Sequence, residues 1–150
     1  MSVILCGCGA DSDVTTVTIS KKGEITSNII EDFDKDYYSL DDLDNTISEE
    51  VSKYNAAKGT DSVTAEKPKK KGDDKVSEKI TFASYRDYAG FNNSQFFCGT
   101  VADASASGYD LGTSLKSVKD STKTVTGEEV ISDMQDKHIL IIDEPLHIVT

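Results

Sequence analysis

The chain predicts an α+β fold: a mostly antiparallel sheet of about six strands with one main amphipathic helix packed on a face. Three observations lead there. β-branched segments of strand length recur, from Val14-Thr15-Thr16-Val17-Thr18-Ile19-Ser20 to His138-Ile139-Leu140-Ile141-Ile142-Asp143. Turn-forming runs such as Lys21-Lys22-Gly23-Glu24 separate them at hairpin spacing. Only Leu40–Tyr54 sustains a helical period over several turns. The 150 residues and 37% hydrophobic content are enough for a single core. The expected division is a residual signal and tether over 1–13 and a single α+β domain over 14–150.

The first two strands are Val14–Ser20 and Ile25–Phe33, joined at Gly23, where a positive φ is tolerated. Ile25, Ile29 and Phe33 share one face of the hairpin. Ser39 and Asp42 have the spacing of a capping box. Leu40, Leu43, Ile47, Val51 and Tyr54 then form one apolar stripe, and Gly59 ends the helix. Ser62–Lys67 and Val76–Phe82 predict a second hairpin around a lysine-rich loop, with Val76, Ile80 and Phe82 inward. Ser84 and Asp87 open a short helix through Phe91.

Gln95–Val101 is expected as a strand in which Gly99 marks a bulge or a close approach. Residues 102–126 are rich in Ser, Thr, Gly and Asp and predict a surface excursion with one helical turn around Ser114–Val118. Thr126 and Glu129 cap an expected third helix carrying Val130, Ile131 and Met134. The strand His138–Asp143 follows, Pro145 interrupts, and Leu146–Thr150 starts another strand. That hydrophobic ending reads as a chain truncated before its last elements.

A net charge of −11 opposes nucleic-acid binding, which needs a basic surface. From Glu31 to Glu50 there are nine Asp or Glu residues against the single Lys35, the composition of a solvated helix face. Lys67-Pro68-Lys69-Lys70-Lys71 gathers the opposite sign. That loop could attract an anionic envelope polymer or anionic lipid headgroups. No run reaches the ~18 apolar residues of a membrane span, so any attachment to a membrane has to come from a lipid or from signal missing upstream.

Leu5-Cys6-Gly7-Cys8 supplies that route. It has the form at which bacterial lipoprotein signals are cut, with small Gly7 just before the Cys that becomes the lipidated N-terminus. Gly9-Ala10-Asp11-Ser12-Asp13 then reads as a tether. The five residues Ser2–Cys6 are short for a signal and contain no Lys or Arg, which suggests a start site placed too late. The competing reading is a short strand over Val3–Cys8 with buried thiols. Cys6 and Cys8 stand closer together than zinc ligands usually do, so no metal or other cofactor is expected. Cys98, within Phe96-Phe97-Cys98, reads as a small buried hydrophobe.

From Val17 to Asn55 a strand-turn-strand leads into Glu31-Asp32-Phe33-Asp34-Lys35-Asp36-Tyr37-Tyr38, a capping Ser and an acidic helix ending in Tyr54-Asn55. This stretch resembles a group of uncharacterised lipoproteins from Gram-positive anaerobic bacteria. Phe91-Asn92-Asn93 leading to Cys98-Gly99-Thr100-Val101, and the segment Gly127–Ile148, resemble the same group. The likeness covers about half the chain. It implies a lipid-modified Cys near the start, and it implies no activity and no catalytic residues.

Other candidate sites are sparse. Asp32, Asp34 and Asp36 resemble the start of a calcium loop, but Tyr37 and Leu43 stand where an EF-hand needs Gly and Glu. A looser calcium site on the three Asp residues remains. Tyr85, Tyr88 and Phe91 step by three and could form a stacking platform for a ligand, although packing onto the sheet is the plainer reading. His138 and His147 flank two strands without a positioned carboxylate. Nucleophile elbows, P-loops and zinc-protease motifs do not occur in the sequence, so no catalytic residue is singled out. The expected function is a lipid-anchored extracytoplasmic binding or envelope-associated module, more in keeping with a non-enzyme. The alternatives are a cell-envelope hydrolase with unidentified carboxylates and, were the N-terminal pattern accidental, a cytosolic acidic interaction protein.

Overall fold

The structure, a computed structural model, describes residues 3–5, 13–112, 114–116, 122–125, 138–142 and 146–148. They fall into two compact units, Met1–Ser94 with Asp143–Thr150, and Gln95–Ile142. The expected third helix at 126–134 lies outside the described residues, as does Cys8.

The first unit is built on β1 (Val3–Leu5), β2 (Thr16–Ile19), β3 (Ile25–Asp32), α1 (Leu40–Lys58), β4 (Val63–Ala65), β5 (Lys69–Lys71), β6 (Lys75–Phe82), α2 (Tyr85–Asn92) and β11 (Leu146–Ile148). Its seven-stranded sheet has the order β11-β1-β2-β3-β6-β4, with β5 also on β6. All pairs among β2 to β6 are antiparallel, and β1 is parallel to both neighbours. The fold is therefore α+β on a main antiparallel sheet.

Strand alternation assigns the faces. Register places Ile25, Ser27, Ile29 and Glu31 of β3 beside Phe82, Ile80, Glu78 and Val76 of β6. Val17, Ile25, Val63, Val76, Ile80 and Phe82 are buried, and Ile47 is buried from α1. The Tyr88 and Phe91 rings of α2 stand edge-on to Phe82 at 5.1 and 5.5 Å. A side chain of this size contributes roughly 1.5–3 kcal/mol by leaving water.

Local chemistry explains the boundaries. Ser39 accepts a hydrogen bond from the Asp42 backbone N–H at 3.2 Å, capping α1. Gly59 ends the helix at φ 71°, a conformation that glycine adopts without strain. Asn55 clamps α1 to β4 by bonding both the N–H and the C=O of Val63, at 3.0 and 2.8 Å. Asp87 accepts from Ser62, Ser84 and Tyr54, which ties α2 to the β4 approach and to α1.

The lysine run is not the expected loop. Lys69–Lys71 is a strand on β6, and the turn falls at 72–74. Ala65 pairs with Ile80 and Lys69 with Ser77, while the Glu66 N–H bonds Lys79 O. Lys67 and Pro68 therefore oppose the single residue Glu78, forming a bulge with Pro68 buried. Proline fits there because an edge-strand bulge does not need its missing N–H.

The second unit holds β7 (Phe96–Thr100), α3 (Val101–Ala106), β8 (Leu115–Lys116), β9 (Thr124–Val125) and β10 (His138–Ile142). β7 pairs antiparallel with β10, and β8 with β9. Phe96, Phe97, Val101 and Ala104 are buried, and the Tyr109 ring lies 5.2 Å from that of Phe97. Two expectations are corrected. The strand ends at Thr100 because Thr100 and Asp103 form a reciprocal capping box that starts α3. Leu115 and Lys116 are extended rather than helical, paired with Val125 and Thr124. Pairing at Gly99 is regular, so there is no bulge. A Cβ there would sit 3.0 Å from the Phe97 ring, which is the close approach.

Candidate functional site

β3 ends at Asp32, and residues 33–39 cross to α1 carrying three aromatic rings. The Phe33 and Tyr38 centroids are 5.1 Å apart, and those of Tyr37 and Tyr38 are 4.9 Å apart, edge to face. Tyr37 is 78% exposed and Tyr38 43%. These rings form one wall of a groove of about 390 Å³. Its floor is the end of β3 with Val76 and Glu78 of β6, and Asp42, Leu43 and Thr46 of α1 close the far side.

The groove is acidic. Among the described residues Glu31, Asp32, Asp42 and Glu78 line it, and neither Lys nor Arg does. Glu78 is the unusual member. It shares the helix-facing side of β6 with Val76, Ile80 and Phe82, a position that strand alternation reserves for a hydrophobe. Half-burial raises its carboxyl above the ordinary glutamate range, and the charges of Glu31 and Glu50 push the same way. Asp41 and Asp42 in the first turn of α1 offset the positive end of the helix dipole beside the groove.

The other expected site residues sit elsewhere. Asp34 is exposed and hydrogen-bonded to Lys35 at 2.9 Å, which lowers its pKa, and Asp36 lies in the following turn. Among the described residues no three His, Cys, Asp or Glu side chains converge on a point that could hold a metal, so Asp32, Asp34 and Asp36 are not brought together as a calcium site. Tyr88 and Phe91 face Phe82, Phe91 also meets Tyr54 at 5.6 Å, and Tyr85 lies under the Arg86 guanidinium at 5.0 Å. Tyr88 and Phe91 therefore share Phe82 as a neighbour, and Tyr85 meets Arg86. His138 pairs with Thr100 and His147 with Ile4, in different sheets. Cys98 is half-buried, and burial pushes its thiol pKa up.

Lys67 lies 3.6 Å from Asp44, Lys69 3.6 Å from Glu66 and Lys71 3.2 Å from Asp13. Lys79 also meets Glu66, at 2.6 Å. The lysine strand is thus interleaved with carboxylates. Among the described residues, a second concavity of about 630 Å³ beside the C-terminal half of α1 includes no aromatic ring, and Asp61 is its only ionisable side chain.

The sequence reading missed the groove. One signal was available: in Val76-x-Glu78-x-Ile80-x-Phe82 an acid occupies the inward parity of a strand. Comparison with known proteins adds no assignment: no family model, curated protein or solved structure matches the chain significantly. Among the described residues no helix is long and apolar enough to cross a membrane.

Proposed function

We propose that the protein is a lipid-anchored extracytoplasmic binding module, tethered to the bacterial membrane through Cys8 and contacting its ligand at the aromatic-acidic groove. The Leu5-Cys6-Gly7-Cys8 pattern and the resemblance to Gram-positive lipoproteins support the tether. The observation that carries the binding assignment is the groove itself, in which large rings stay exposed beside four carboxylates. The interleaved carboxylates make the lysine strand a weaker recognition surface than its sequence suggests, so recognition falls to the groove.

Processing has a structural consequence. Cleavage before Cys8 removes β1, and β2 then becomes the edge of the mature sheet. Intact mass and detergent-phase partition of protein from its own host test the tether. The expected form begins at an acylated Cys8. An unmodified chain beginning at Met1 in the aqueous fraction would overturn it and favour the cytosolic interaction protein.

A cell-envelope hydrolase is the second reading, favoured by one feature. Half-buried Glu78 holds its proton to higher pH than an ordinary glutamate, next to solvent-facing Glu31. An acid of raised pKa beside a second carboxylate is the pairing that glycoside hydrolysis uses. Incubation with cell-wall glycan separates the two. Release of reducing ends that Glu78→Gln abolishes supports hydrolysis, and no release supports binding alone.

A further inference from the structure

We propose that the groove binds an organic cation, an alkylammonium group held between the Phe33, Tyr37 and Tyr38 rings and the Glu31, Asp42 and Glu78 carboxylates. This deepens the binding-module reading and rests on it. Among the described residues four carboxylates from β3, α1 and β6 line the groove with no Lys or Arg, and Lys35 of the same connection is held by Asp34. An anionic ligand would be repelled from three sides.

The placement of Glu78 sharpens this. The charges facing it are Glu31 from β3 and Glu50 from α1, both of its own sign. A carboxylate half out of water against like charges destabilises the fold, and a hydrophobe of similar size would suit the position better. A bound cation supplies the missing opposite charge. The bulge at Lys67 and Pro68 lies directly opposite Glu78 across β5 and β6, the kind of local distortion that accompanies binding sites.

The class of cation follows from spacing and from the rings. Among the described residues no three carboxylates converge closely enough for one metal ion. A larger cation touches them in turn. The aromatic wall selects the same partner, because ring faces attract cations and do so best when the cation sheds water readily, as an alkylated ammonium does. Tyr37 is exposed, with its ring set edge to face against Tyr38.

The test titrates the full chain with tetramethylammonium chloride at constant ionic strength, following the Tyr37 and Tyr38 ring resonances. Parallel arms use tert-butanol as the neutral counterpart and Nα-acetyl-lysine amide as a side-chain source of ammonium. The expected result is a saturable shift with both cations and none with tert-butanol. Tyr37→Ala is expected to weaken binding about threefold to tenfold, and Glu78→Gln by at least as much. Glu78→Gln relieves repulsion within the fold, so its loss of binding cannot be loss of structure, and thermal unfolding of the same sample checks this. Absence of a saturable shift, an equal response to tert-butanol, or undiminished binding by Glu78→Gln would overturn the proposal. A saturable ring shift with neutral cell-wall disaccharide and none with ammonium would also overturn the cation assignment while leaving the groove a binding site. Acylation of Cys8 is read separately by mass.

Discussion

At the residue scale, Glu78 couples stability to pH in an unusual direction. Burial first, and Glu31 and Glu50 next, raise its folded pKa above the ordinary value of 4.5. Between the ordinary and the raised pKa the folded chain therefore binds more protons than the unfolded one. Stability falls as pH rises through that window and is regained on acidification. Glu78→Gln is accordingly expected to raise the Tm at pH 7 and to leave it unchanged well below the ordinary glutamate value. Thermal unfolding at several pH values checks this, and a lowered Tm at neutral pH would show that Glu78 has a stabilising partner. Asp87 is the contrasting carboxylate, because Ser62, Ser84 and Tyr54 all donate to it. Asp87→Ala leaves those hydroxyls without their acceptor and is expected to destabilise by about 1–3 kcal/mol. Urea unfolding should show a lower midpoint at an unchanged m-value.

At the element scale, legibility followed the strength of local signals. α1 was readable because Ser39, the 40-43-47-51-54 stripe and Gly59 agree on one helix. The β2–β3 hairpin was readable from β-branched content and Gly23. The lysine strand was not, since a charged segment without alternation gives no period. Its pairing is imposed by β6, and its lysines discourage edge-to-edge association. α3 was hidden because Val101 completes a strand-like run, although Thr100 and Asp103 already had box spacing. The groove was hidden for a different reason. Its residues come from β3, the connection to α1, α1 and β6, so only register brings them together. The end of α1 provides a test. Gly59 is held at φ 71°, with nothing within 4 Å of an added Cβ. Gly59→Ala should therefore destabilise through backbone strain alone, by about 1–2 kcal/mol, without changing the groove. Chemical denaturation measures the first, and tetramethylammonium affinity the second.

At the scale of the whole molecule, charge acts against the proposed anchor. A chain of net charge −11 is repelled by the anionic surface of a bacterial bilayer, and Lys69, Lys67 and Lys71 are interleaved with Glu66, Asp44 and Asp13. Net electrostatics therefore opposes attachment to a membrane, and under the proposed tether the attachment falls to the acyl chains on Cys8. Each buried CH₂ contributes about 0.8 kcal/mol, so two chains anchor firmly where one binds only marginally. Substituting the anchor should thus produce complete rather than partial release. Cys8→Ser expressed in a Gram-positive host is expected to leave the detergent phase entirely, even at low salt, where any residual electrostatic attraction would be strongest. Phase partition at low and high salt measures this. A Cys8→Ser protein that stays with the membrane at low salt and leaves it at high salt would place the attachment on the lysine strand. One that partitions like the unsubstituted chain at both salt concentrations would show that Cys8 carries no anchor.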